Sequence, residues 1–317
     1  MRLAVVVPCT DSKSGNGGLV ALRDLNRTLP VSEIAKRWVD QLSAAPPHSL
    51  ARDLYKGPGW TASLNLVVAL QDTEAEVDWR ILSAGYGLLR PDEQTTRYSA
   101  TFLAGKPDSV PGGDLEAEAA SRWWSKVNCL RDQAEPLLRL AYGMDGLIVA
   151  ASAPYVDALS PEILAASSTV PTVVFCTGRP RVSEVSALAP HFDRRLREGD
   201  EPFVRGGDLG FNQRVATRLV EELGTAITDR SRVDEVLAAA MDREGPVRHG
   251  RRVASDATVM AFIESALTRD PSASRTALLR RWRDAGRACE QRRFGDLYQR
   301  VVAERSGQMA FGEAVHG

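Results

Sequence analysis

Leu3-Ala4-Val5-Val6-Val7-Pro8 runs directly into Cys9-Thr10-Asp11-Ser12-Lys13. An unbroken apolar run rich in valine has no wet face, so it suits a β-strand covered on both sides. Such a strand needs helices above and below it, the layering of a mostly parallel α/β sheet. The polar turn behind it then lies at the carboxyl end of the strand, where ligands bind in these sheets. Similar runs recur at 79–84 (Trp-Arg-Ile-Leu-Ser-Ala), 146–151 (Gly-Leu-Ile-Val-Ala-Ala) and 172–177 (Thr-Val-Val-Phe-Cys-Thr). Helix-spaced segments separate them at 31–44, 60–70 and 154–166, with a long helical region at 115–142 kinked at Pro136. Strand and helix alternate, so the expected fold class is α/β, a mostly parallel sheet with helices on both faces.

The second half changes character. After helices expected at 211–223 and 233–241 comes a charged, Gly- and Pro-bearing linker at 243–252. The pattern is then helical throughout, in pieces at 257–268, 275–285 and 289–304. Ser255 or Asp256 caps the first, Asp270-Pro271 breaks it, Ser272-Ala273-Ser274 caps the second, and Gly286 ends it. A chain of 317 residues holds two domains of ordinary size. The boundary is expected near 245, giving an α/β domain over 1–245 and a C-terminal all-helical module over 246–317.

Charge separates the same two parts. The whole chain carries −1, yet residues 243–305 hold 14 Arg, no Lys and 8 acids, a net of +6 that leaves −7 for the remainder. A basic module on an acidic body suits an anionic partner, and the planar fork of Arg suits phosphate and guanine. The last two helical pieces have helix-turn-helix spacing: Leu278, Leu279 and Trp282 share one face, and Phe294, Leu297, Tyr298 and Val301 another. Arg280, Arg281 and Arg283 from the first, and Arg292, Arg293 and Arg300 from the second, are the expected nucleic-acid contacts, with Arg292 and Arg293 on an exposed face. The competing expectations are solvated helix faces, and a three-helix cap that docks on the α/β body or on a dimer partner.

Several classes are excluded. No apolar run approaches the length of a membrane span, and the N-terminal one is too short for a signal peptide. Cys9, Cys129, Cys176 and Cys289 form no CxxC pair, which points to a reducing cytoplasm rather than a disulfide or zinc scaffold. Gly15-Asn16-Gly17-Gly18 is not closed by Gly-Lys-Ser/Thr, and no G-x-G-x-x-G follows the first strand, so neither phosphate-binding fingerprint is present. His48, His191, His249 and His316 make no metal-binding pattern, and Ser83 and Ser152 lack a nucleophile elbow. No metal, cofactor or membrane partner is expected.

Three strand ends carry polar residues: Cys9 to Lys13; Ser83-Ala84-Gly85-Tyr86-Gly87, continuing through Asp92 to Tyr98 and Thr101; and Ala151-Ser152-Ala153-Pro154-Tyr155. Between the first two, Ala51-Arg52-Asp53-Leu54-Tyr55-Lys56 gathers an acid, a phenol and two cations. The C-x-x-x-K turn, the D-L-Y segment and the element Leu82-Ser83-Ala84-Gly85-Tyr86-Gly87-Leu88-Leu89 resemble, in order and spacing, a bacterial family that has gone uncharacterised. The last element is also similar to one in the accessory domain of archaeosine-forming enzymes and, more remotely, in the bacterial peroxide-stress DNA-binding protein. The resemblance spans about residues 3–178. It implies a three-layer, uracil-DNA-glycosylase-like fold and a role with nucleobases or DNA. The G-Q-D-P-Y and H-P-S loops of uracil excision are absent, so a modified base is the expected substrate.

Cleaving an N-glycosidic bond builds positive charge on the sugar and negative charge on the departing base. A carboxylate serves the first, cations or donors the second, and aromatic walls hold the flipped base. Asp11 and Asp53 are the preferred acids, with Lys13 as the catalytic cation. Cys9, Arg52, Tyr55, Ser83, Gly85, Tyr86, Gly87, Asp92, Tyr98 and Ser152 are the expected substrate contacts. The glycines are expected to let backbone approach the ligand. The expected function is a DNA glycosylase acting on a modified base. The alternatives are a DNA- or RNA-binding protein without catalysis, and a base-exchanging transglycosylase.

Overall fold

The computed structural model describes residues 1–15, 18–111, 117–131, 135–198, 201–242 and 252–313. The chain divides into two compact units, Met1–Gly245 and Pro246–Gly317. The 243–251 portion of the expected linker lies outside the described residues.

The first unit is built on a five-stranded sheet of β1 (Arg2–Pro8), β2 (Glu76–Ser83), β3 (Gly87–Leu89), β4 (Gly146–Ala150) and β5 (Thr172–Phe175). The spatial order is β3-β2-β1-β4-β5; β3 runs antiparallel to β2, and all other pairs are parallel. The edge strand β3 makes the sheet mixed. It is too short to show in the sequence as a strand of its own. β1 holds the centre, and Leu3 through Val7 are wholly buried, as their unbroken apolar character requires.

Helices α1 (Val31–Ala44), α2 (Ala51–Leu54), α3 (Pro58–Gln71), α4 (Ala117–Leu130), α5 (Leu137–Ala141), α6 (Ala153–Ser167), α7 (Ser183–Leu188), α8 (Phe211–Leu223) and α9 (Arg230–Asp242) complete the unit. The long helical region expected at 115–142 is two helices, α4 and α5, with Pro136 capping the second instead of kinking one rod. Helices α3 and α8 pack together, as do α4 and α6 and, with fewer residues, α1 and α4. At the α3–α8 crossing a Cβ on Gly210 would lie 2.5 Å from that of Ala62, so the two helix starts approach closely only because that position is glycine.

The order 2-1-4-5 of the parallel strands reverses direction at β1. From β1 the chain crosses to β2 on one side and later to β4 on the other, so β1 and β4 flank a topological switch point.

The second unit packs α10 (Asp256–Arg269), α11 (Arg275–Asp284) and α12 (Gln291–Glu313) around Ile263, Trp282, Phe294 and Val301, each fully buried. The Ser255 and Ser274 hydroxyls cap α10 and α11 by accepting from Thr258 N and Ala277 N. The unit is not all-helical: Arg252–Val253 pairs in parallel with Arg287–Ala288, a ladder too short to leave an alternating pattern. Among the described residues no helix is long and apolar enough to cross a membrane.

Candidate functional site

The turn after β1 is fixed from outside. Ser14 N donates to Leu54 O (2.7 Å), Lys56 N to Ser12 O (2.9 Å) and Thr10 Oγ1 to Lys56 O (2.9 Å). Residues 51–56 are thus the brace of the 10–14 turn, and this is what couples the D-L-Y segment to the C-x-x-x-K segment. Lys13 bridges to Tyr55 through its backbone. Its Nζ donates to Thr10 O at 3.0 Å and lies 4.4 Å above the centre of the Tyr98 ring.

Beneath Lys13 is a buried hydroxyl chain. Gly85 N and Tyr86 N both donate to Ser83 Oγ (3.1 and 2.9 Å), so the Ser83 hydroxyl has its own proton to give to Tyr98 Oη, 2.6 Å away. Tyr98 Oη in turn lies 2.9 Å from Tyr55 Oη. Burial holds the Tyr55, Tyr98 and Tyr155 hydroxyls well above the usual phenol range, with the nearby Cys9 adding to the effect. They are neutral donors at any working pH. Burial likewise lowers the Lys13 ammonium from its ordinary value, partly offset by Cys9 and Asp11.

The loop Ser83–Gly87 is clamped by indoles. Trp38 Nε1 donates to Gly85 O and Trp123 Nε1 to Ala84 O, both at 2.8 Å. A Cβ on Gly85 would stand 2.5 Å from the Tyr98 ring and 3.1 Å from Trp38, and Gly87 turns the hairpin with φ +74 beside Asn128. Both glycines serve packing and turning. This corrects the expectation that they admit a ligand. Tyr55, Tyr86 and Tyr98 are 2%, 7% and 1% exposed; Tyr55 and Tyr98, expected to wall a base, form the floor under Lys13 instead, and Tyr86 packs edge-on against Tyr98. Tyr86 Oη accepts from Thr96 N (3.0 Å), and Arg131 stacks on the Tyr86 ring while pairing with the buried Glu93.

Across the switch point, Cys9 Sγ lies 3.8 Å from Tyr155 Oη, and Ser152 caps the start of α6 through its backbone. Asn212 ties the far side: its Oδ1 accepts from Thr177 N (2.9 Å) and its Nδ2 donates to Ala151 O (2.7 Å), joining the ends of β4 and β5. Asp11 is exposed on the 10–14 turn, and its carboxylate makes no hydrogen bond or ion pair among the described residues.

The structure therefore brings together Cys9, Asp11, Lys13, Tyr55, Ser83 and Tyr98, and adds Tyr155 and Thr101, which share a hydrogen bond. It does not bring in Arg52, Asp53 or Asp92. Asp53 and Asp92 are 62% and 68% exposed, and among the described residues they pair with the adjacent Arg52 (3.9 Å) and the nearby Arg90 (3.6 Å). Arg52 and Asp92 line a separate groove of about 400 Å³ beside Trp79 and α3. Asp53 reaches the site only through its carbonyl, which accepts from Ser14 Oγ. Tyr155 was legible as the end of a polar strand terminus. Asn212 carries no signal beyond its place at the start of a helix.

In the second unit Arg280, Arg281 and Arg300 are exposed. Arg283 is partly spent on Cys289 O (3.2 Å). Arg293 is not free on an exposed face, as expected, but is held by Asp256 Oδ1 (2.7 Å) and Ala254 O (2.9 Å) across to the start of α10. The side chain of Arg292 lies outside the described residues.

No family model, curated protein or solved structure matches this chain.

Proposed function

We propose that the chain is a DNA glycosylase that hydrolyses the N-glycosidic bond of a modified nucleobase and leaves an abasic site. One observation carries this reading: an exposed carboxylate, Asp11, with no hydrogen bond or ion pair among the described residues, and a half-buried cation, Lys13, share one short turn at the switch point of the sheet. Asp11 would orient the attacking water and stabilise positive charge on the sugar. Lys13, held by carbonyls and a ring face rather than by a carboxylate, would meet the charge developing on the base. The parallel-strand order and the sequence resemblance support a uracil-DNA-glycosylase-like arrangement, and the absence of the uracil loops favours a bulkier base. Bases with which bacterial viruses mask their genomes, such as glucosylated hydroxymethylcytosine, fit that description, and the enzyme would then serve antiviral defence in the cytoplasm.

The test is incubation with normal DNA and with phage DNA carrying hypermodified bases, scored for abasic sites. Abasic sites in modified DNA alone are expected. None in any DNA would overturn the enzyme reading and favour a binding protein. Incorporation of a labelled free base, without net release, would favour base exchange.

A further inference from the structure

The helix-turn-helix spacing offers arginines of both α11 and α12 to DNA, with those of the second helix, α12, in the position of a reading helix. The side chains argue otherwise. The Arg293 guanidinium is engaged by Asp256 and Ala254, and Arg305 Nη1 donates to Thr268 Oγ1 at 2.9 Å. Phe294, Gly295, Leu297 and Val301 are buried, so α12 acts as a buttress for α10 and α11.

Helix α11 is arranged the opposite way. Leu278, Leu279 and Trp282 face the core, and Thr276, Ala277, Arg280, Arg281 and Asp284 form the exposed side. Among the described residues Arg280 and Arg281 make no hydrogen bond or ion pair, and Asp284, at the C-terminal end, pairs with neither. Behind Gly286, the exposed Arg287 rests on the Trp282 ring at 4.8 Å, which positions its guanidinium without neutralising it. Ala277, small and central, lets the helix approach a surface closely.

We infer that α11 and the Arg287 turn are the element that docks on duplex DNA, through its phosphates, and that α12 is its scaffold. This rests on the reading of the chain as a DNA enzyme. Three exposed guanidiniums, of which only Arg281 has a described carboxylate, Asp270, near enough to feel its charge, complement a backbone carrying one negative charge per roughly 1.7 Å of duplex, and each phosphate contact adds about 0.9 to the log–log salt slope.

The full chain is tested as Arg280→Glu/Arg281→Glu, and separately as Arg300→Glu, against an unmodified DNA duplex across a salt series. Base release from a short single-stranded modified substrate is measured in parallel. The α11 pair should lower affinity at least tenfold and flatten the slope by about two contacts, while Arg300→Glu changes little. The milder Arg280→Gln/Arg281→Gln pair should show the same direction, with circular dichroism unchanged in every variant. Wild-type affinity and slope in both α11 pairs, or loss only in Arg300→Glu, would overturn the assignment even if base release persists. Loss on duplex RNA but not on DNA would overturn it too. A wild type that neither binds DNA nor releases base fails at the proposed function instead.

Discussion

Lys13 is a cation over tyrosine rings and beside carbonyls, where burial disfavours its charge, Arg97 adds to that effect, and Cys9, Asp11 and Asp108 partly offset it. A folded-state value below that of the free side chain penalises the fold whenever both states are protonated. The penalty fades as pH rises through the lowered value toward the ordinary 10.5. Lys13→Met should therefore match or exceed the wild type in Tm near neutral pH, the difference should shrink toward pH 10, and base release should be lost. Thermal unfolding at several pH values, beside an abasic-site assay, reads both. Asp11→Asn should cut turnover about a hundredfold or more with DNA binding retained, whereas Asp53→Asn and Asp92→Asn should stay near wild type. Equal loss in all three would deny Asp11 its special place. Gly85→Ala forces a methyl into the Tyr98 ring and should destabilise by roughly 1–3 kcal/mol in urea unfolding.

At the scale of elements, the long periodic pieces were legible: β1, α1, α3, α6 and α8 lie within a residue or two of where their apolar spacing puts them. What escaped were short elements whose existence depends on a partner. The strand β3 pairs because Gly87 turns the chain back, and the Arg252–Val253 ladder exists only opposite Arg287–Ala288. The candidate site was half legible for the same reason. The turn at 9–13 was visible as polar residues after a strand, but whether Asp53 or Tyr98 points outward or inward is decided by the brace and the hydroxyl chain. Helix α8 contributes through two side chains: Asn212 joins β4 to β5, and Gln213 Nε2 donates to Ala150 O at 2.7 Å. Asn212→Ala leaves the buried Ala151 carbonyl unpaired, at about 1–3 kcal/mol, and the part-buried Thr177 amide and hydroxyl without their acceptor, at a smaller cost. Destabilisation in that range with reduced turnover is expected; full stability would mean that water or Gln213 substitutes for it.

For the whole molecule, the two units have separate hydrophobic cores. A chain ending at Gly245 should keep the unit-one fold, process a short single-stranded modified substrate at saturation, and lose most of the salt dependence of duplex binding. Collapse of that truncated chain, judged by circular dichroism, would show that the units depend on each other for stability. The position of β1 has a further consequence, for the ribosome. A strand with five successive fully buried apolar residues occupies the centre of the sheet, yet its neighbours begin only at Glu76 and Gly146. At about 5–20 residues per second, the nascent chain carries this strand without its second neighbour for roughly 7–28 seconds. Nascent chains of this protein should therefore recruit chaperones early, and slowing translation should depress the yield of folded chain more than it would for a protein whose central strand is made last.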